Sequence, residues 1–132
     1  MARTGQSGVI HLDTHIVCWL YEGRTDLLSP VALRAIETGV LQVSPVVRLE
    51  LDYLHEIGRI TRGGGYVLNA LARDIGLKLE DASLVQLMET ACALIWTRDP
   101  FDRMIVAHSI VADATLVTKD KLIQEHFSRV AW

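Results

Sequence analysis

The chain predicts an α/β fold, with a central, mostly parallel sheet of four to five short strands covered by helices on both faces. Three observations carry that expectation. Short apolar runs alternate with helical patterns along the whole chain, the rhythm of strand–helix–strand units. The breaks between them carry helix start and stop signals, Ser-Pro or Asp before a helix and Gly after it. At 132 residues and 50% hydrophobic content, the chain has the material for one core, so residues 1–132 are expected to form a single domain.

The elements follow in order. Val9 to Leu12 (VIHL) is a short apolar run that ends at Asp13, and Ile16 to Tyr21 reads as the first turns of a helix. After a polar break from Gly23 to Ser29, Ser29 and Pro30 open a helix in the preferred order, cap and then proline, and Gly39 stops it after Thr38. Leu41 to Val43 is the second strand. Ser44 and Pro45 repeat the start signal for a helix from Val46 to Ile57, closed by Gly58. Gly63 to Gly65 mark a loop before a helix from Tyr66 to about Asp74. Leu77 to Leu79 is a third strand, and Ser83 opens a helix to about Leu94 with Gln86 at capping-box spacing. Pro100 to Ala112 is a helix that is apolar on most sides. Leu116 to Thr118 is the fourth strand, Lys121 to Phe127 a terminal helix, and Val130 to Trp132 an edge strand.

Composition narrows the class. No apolar run reaches the roughly 18 residues of a membrane span, and the start MARTGQSGVIHLD lacks the apolar core of a secretory signal, so a cytoplasmic protein is expected. Cys18 and Cys92 lie in apolar helical patterns without a second Cys or His at ligand spacing, which predicts buried thiols in a reducing compartment. A net charge of −3 argues against a nucleic-acid binder. A site rich in carboxylates would itself lower the net charge, however, and bound divalent cations would neutralise it locally, so charge does not decide the substrate.

The acids are where the chemistry gathers. Asp13 and Asp120 each lie between an apolar run and a helix, and taken alone each reads first as a helix N-cap. Asp99 precedes Pro100 and is the stronger cap candidate, with Asp102 at the third helical position, where an acid meets the helix dipole. Glu50 differs: Val46, Tyr53, Leu54 and Ile57 lie three, four and seven positions from it, so it projects with the apolar residues, away from Arg48, Asp52, His55, Glu56 and Arg59. A carboxylate on such a face is protonated, salt-bridged to an arginine or coordinating a cation. Asp13, Glu50, Asp102 and Asp120 can all reach the rim at the carboxyl ends of the strands, where open α/β sheets keep their sites. Four carboxylates without a ligating Cys or His favour Mg²⁺ or Mn²⁺ over zinc, and such ions serve phosphate chemistry. No phosphate-loop, dinucleotide, zinc-protease or serine-hydrolase motif is present, and Gly63 to Gly65 lack a following Lys-Ser/Thr. His15 and His108 lie near candidate acids, with surface or core packing as their simpler role.

These residues resemble a PIN-domain ribonuclease, and more narrowly a VapC-type toxin of a bacterial type II toxin–antitoxin pair. The carriers are IHLDTHIVCWL, SPVVRLELDYL, RDPFDRMIVAHS and ATLVTKD, which together run over essentially the whole chain. The resemblance implies a PIN-like three-layer α/β/α sandwich and Mg²⁺-dependent endonucleolytic cleavage of RNA. It matches Asp13, Glu50, Asp102 and Asp120 to the family's acidic quartet, with Thr118 as the hydroxyl neighbour of the last acid. Asp99 is common in this branch without an assigned ligand role. Lys119 is a departure, standing before the last acid where relatives often carry Arg. A cognate antitoxin whose tail packs on the toxin is implied, and Trp19, Leu20, Tyr21, Leu27 and Leu28 offer it apolar surface beside Asp13; a homodimer is expected. Two other classes stand beside this reading. A receiver-like signalling domain requires a phosphoacceptor Asp ending a mid-chain strand, and LQVS has none. A PIN-like binding module without catalysis would not need an intact quartet.

Overall fold

A computed structural model describes residues 8–132. The reading of the leading segment as no secretory signal rests largely on residues 1–7 and lies outside the described residues. β1 (Val9–Leu12) leads into α1 (Thr14–Tyr21), a 3-10 turn at Thr25–Leu27 and α2 (Pro30–Thr38). β2 (Val40–Val43), α3 (Pro45–Glu56), α4 (Gly64–Ile75), β3 (Lys78–Leu79) and α5 (Leu84–Cys92) follow. α6 (Pro100–Val111), β4 (Thr115–Val117), α7 (Lys121–His126) and β5 (Val130–Ala131) complete the order. Five strands pair in the order β3-β2-β1-β4-β5, and every pairing is parallel. With helices on its faces, the sheet has the α/β/α form expected. Among the described residues, no helix is long and apolar enough to cross a membrane.

The start signals work as read. Ser29 Oγ accepts from Ala32 N and Ser44 Oγ from Val46 N, each with proline in the first helical turn. Ser83 Oγ accepts from Gln86 N. The core lies along β1, β2 and β4, where Leu12, Val43, Leu116 and Val117 are fully buried against Ile16 and Val17 of α1, Val47 and Leu51 of α3, and Val106 of α6. Near-continuous apolar strands are what a sheet covered on both faces demands.

Three expectations are corrected. Gly64 and Gly65 are not loop but the first turn of α4. A Cβ at Gly64 would lie 2.6 Å from the Arg48 carbonyl oxygen, and Gly64 N donates to Asp52 Oδ1 at 2.7 Å. The polar face of α3 thus caps α4, and glycine lets the two helices approach. Gly64→Ala is therefore expected to destabilise the fold by about 1–3 kcal/mol through overpacking against backbone, read as a lower denaturant midpoint. Second, the buried stripe of α3 is Val47 and Leu51, with Val46 and Leu54 half-buried and Tyr53 and Ile57 exposed, so Glu50 sits at the edge of the apolar face. Third, Cys92 is an exposed thiol because it lies on the outer face of α5, whereas Cys18 is half-buried and burial pushes its thiol up to about 11.

His108 is a core residue. Its ring stands edge-on to His11 with centroids 5.1 Å apart, and both histidines are buried. Burial lowers the pKa of each, that of His11 to about 4, so both are neutral near pH 7.

Candidate active site

The sheet order reverses between β1 and β4, which pair with Leu12 opposite Val117. The residues that follow, Asp13 and Thr118, leave the sheet side by side, and Asp13 N donates to Val117 O at 3.1 Å. Such a reversal opens a crevice beyond the carboxyl ends of the strands.

Three helix starts and the second turn of a fourth helix bring side chains to it. Asp13 caps α1, where Oδ1 accepts from Thr14 N at 2.7 Å and Oδ2 accepts from the Thr118 hydroxyl at 2.5 Å. The same hydroxyl accepts from Asp120 N at 3.1 Å, so the fully buried Thr118 couples two of the acids. Asp120 caps α7 through Ile123 N at 3.0 Å. Asp99 caps α6, with Oδ1 accepting from both Phe101 N (2.8 Å) and Asp102 N (3.2 Å). Asp102 lies in the first turn of that helix. Glu50 projects from the second turn of α3, and its Oε1 accepts from the Thr14 hydroxyl at 2.6 Å. Among the described residues no arginine or lysine pairs with Glu50, which removes the salt-bridge reading.

Asp13, Glu50, Asp99, Asp102 and Asp120 line one cavity of about 450 Å³, together with His15, Trp19, Lys119 and Lys121. His108 is not among them. Thr14 and Lys121 are contributions the sequence reading missed, and Trp19 and Lys119, noted there as partner surface and as a departure from the family pattern, were not read as part of the site. Thr14 had a signal, a hydroxyl directly after a strand-end acid; Lys119 had one in standing where relatives often carry Arg, and Lys121 had none beyond adjacency to Asp120.

The electrostatics are those of a site short of positive charge. The pKa of Asp102 is raised to about 7, first by desolvation and then by repulsion from Asp99, Asp13, Asp120 and Glu50. Burial raises Asp13 above the usual carboxylate range, against the pull of its bonds from Thr118 and Thr14. Desolvation also raises Glu50, with Asp13 and Asp99 adding to it.

Among the described residues, no three acid, His or Cys side chains come close enough together to enclose an ion directly. Both oxygens of Asp13 are engaged in hydrogen bonds, and Glu50 is tied to Thr14. Carboxylates spread around a cavity of this size fit a hard cation that keeps part of its water shell, as Mg²⁺ does, meeting one or two acids directly and the rest through water. They do not fit zinc, which needs a close tetrahedral set rich in Cys and His.

The family profile of the PIN domain matches residues 10–132. Comparison with curated proteins finds no match. Among solved structures, the crystal structure of VapBC2 from Rickettsia felis bound to a DNA fragment from their promoter is similar in fold, with a TM-score of 0.67. The two share 19% identity over 92% of this chain and 96% of that one.

Proposed function

The chain belongs to the PIN domain family of nucleases, and from that premise we propose that it is a metal-dependent endoribonuclease, the toxin of a type II toxin–antitoxin pair. The observation that carries the reading is the convergence of Asp13, Glu50, Asp102 and Asp120 on one cavity at the sheet's reversal point. These four would hold Mg²⁺ or Mn²⁺, with Asp102 the least encumbered by internal bonds. The chemistry a bound ion supplies in such a site is activation of water and neutralisation of charge on the scissile phosphate. The protein's own contribution is positional. Thr118 fixes Asp13 and the Asp120 backbone in one arrangement, and Thr14 fixes Glu50 beside them. Asp99 holds the start of α6, and with it Asp102, by taking two amides on one oxygen, while it also lines the cavity.

Purified protein free of any partner is expected to cut single-stranded RNA in Mg²⁺ or Mn²⁺ and to stop in EDTA. Equal cutting in EDTA would overturn the reading, and RNA binding with no cutting in any divalent ion would favour the inactive binding module. The receiver-like alternative loses its support to the family match, and Ser44 rather than an acid follows β2.

The antitoxin belongs to the same proposal, and the fold shared with VapBC2 supports it. On the expected surface Trp19, Leu20, Tyr21 and Leu27 are half-buried, the first three packed in part against the core and offering only their outer faces to a partner, whereas Leu28 is buried in the core. A short upstream reading frame encoding a small DNA-binding protein would support the pairing. The homodimer is also carried in the proposal, and Leu84, Val85, Met88 and Ile95 put exposed apolar side chains along and just past α5. The expected cytoplasmic location goes with an RNA substrate and free thiols.

A further inference from the structure

An acidic protein with an acidic cavity has to admit a polyanion, and the cavity holds a second set of side chains suited to that. Lys119 and Lys121 flank Asp120 and line the cavity with five carboxylates. Neither lysine pairs with any of them. The ion pairs among the described residues are Arg24 with Asp26 and Arg129 with Asp113, both away from the cavity lining. The Lys119 ammonium is held instead over the Trp19 ring, 5.6 Å from its centroid, and Trp19 is braced in turn by Trp132 at 6.4 Å. A flexible lysine beside several acids would ordinarily fold onto one of them. Here an aromatic face positions it, its charge still available to an anion, because a cation–π contact leaves the ammonium hydrogens free for another partner.

Resting on the nuclease reading above, we propose that Lys119 and Lys121 form a backbone clamp that seats the phosphates of single-stranded RNA next to the scissile bond, and that Trp19 is a positioning residue acting through Lys119. The cavity then divides its labour by charge: carboxylates for the cation, lysines for the phosphodiester. A polyanion gains affinity at such a clamp largely by releasing its condensed counterions, so binding through it weakens steeply with salt.

The test is binding of a short unstructured RNA oligonucleotide, followed by fluorescence anisotropy between about 50 and 200 mM salt, in the Asp102→Asn background so that the RNA stays intact. Lys119→Ala/Lys121→Ala is expected to weaken binding roughly tenfold at the low-salt end and to reduce the slope of log K against log salt by about 1.4, the loss of two single-strand phosphate contacts. Trp19→Leu should weaken binding about as much as Lys119→Ala alone, and add little when combined with it, while Trp19→Phe restores part of the loss. Cleavage by the otherwise wild-type chain is measured alongside. RNA that is bound with the lysine-dependent slope but never cut leaves the clamp standing and overturns the nuclease reading. Cleaving protein whose lysine variant keeps the wild-type affinity and slope overturns the clamp, as does an absence of RNA binding before any lysine is changed.

Discussion

Asp102→Asn is expected to lower RNA cleavage by about 10²-fold or more while raising the stability of the metal-free protein. Both effects follow from one feature, a half-buried carboxyl whose pKa is raised to about 7, first by its desolvation and then by the negative charge crowded around it. An acid whose pKa is raised by folding holds its proton more tightly in the folded chain than in the unfolded one. Its contribution to stability is therefore present below the unfolded pKa, near pH 4, and is lost as pH rises through about 7. Metal-free wild-type protein should melt at a lower temperature at pH 8 than at pH 5, and Mg²⁺ should reverse much of that fall. Asp102→Asn removes the charge responsible, so its melting temperature should vary less with pH and respond less to Mg²⁺. Cleavage has the opposite dependence, because the site needs Asp102 ionised: the wild-type rate at fixed low Mg²⁺ should climb between pH 6 and 8. Asp99→Asn is the control. Asparagine still caps α6, so most activity should remain, whereas Asp99→Ala should cost about 1 kcal/mol of stability. If Asp99→Asn abolishes both cutting and the Mg²⁺-induced melting shift while Asp102→Asn keeps them, the wrong aspartate has been given the metal.

What the sequence shows of this site, and what it hides, has a physical pattern. Taken singly, Asp13, Asp99 and Asp120 each read first as a helix cap, Asp99 most of all, and in the structure all three are caps that also line the cavity. A carboxylate has two oxygens and a helix start sits at the strand ends, so the two roles do not compete, and periodicity alone has no means of separating them. Glu50 was legible because a charged residue on an apolar face needs a reason. Its face was read about one residue off, since Tyr53 looks like core in sequence but packs beside Phe101 with much of its surface exposed. Strand existence was legible throughout, down to the two-residue edge strand β5, because apolar runs between stop signals survive even when short. The start of α4 was not. Whether a glycine pair is loop or helix there depends on Arg48 and Asp52, residues of a different helix that only the tertiary packing brings near. The part of Lys119 and Lys121 was hidden for the same reason: it depends on the carboxylates they stand beside in the fold without pairing with them.

Thr118→Val is expected to damage the site nearly as much as loss of an acid, although it removes one buried oxygen and keeps the side chain's shape. The Thr118 hydroxyl donates to Asp13 Oδ2 at 2.5 Å and accepts from Asp120 N at 3.1 Å, within a site where Asp13 is only 6% exposed. Valine would leave a buried carboxylate oxygen without its donor and a backbone amide without its acceptor, at a cost of about 1–3 kcal/mol in stability. The effect on chemistry should be larger than geometry alone suggests. Burial already raises the Asp13 carboxyl, and the Thr118 bond is the foremost influence pulling it back. Without that bond, Asp13 holds its proton to higher pH, a protonated acid is a poor cation ligand, and cleavage at neutral pH should fall roughly 10- to 100-fold, the usual effect of losing a residue that orients a ligand. The diagnostic is the pH–rate profile at limiting Mg²⁺, whose rising limb should move to higher pH in Thr118→Val and return in Thr118→Ser, which restores a hydroxyl at the same place. A valine variant that cuts at the wild-type rate with an unmoved profile would show that Asp13 is ionised by something other than Thr118, and would take away the hydroxyl's place in the site.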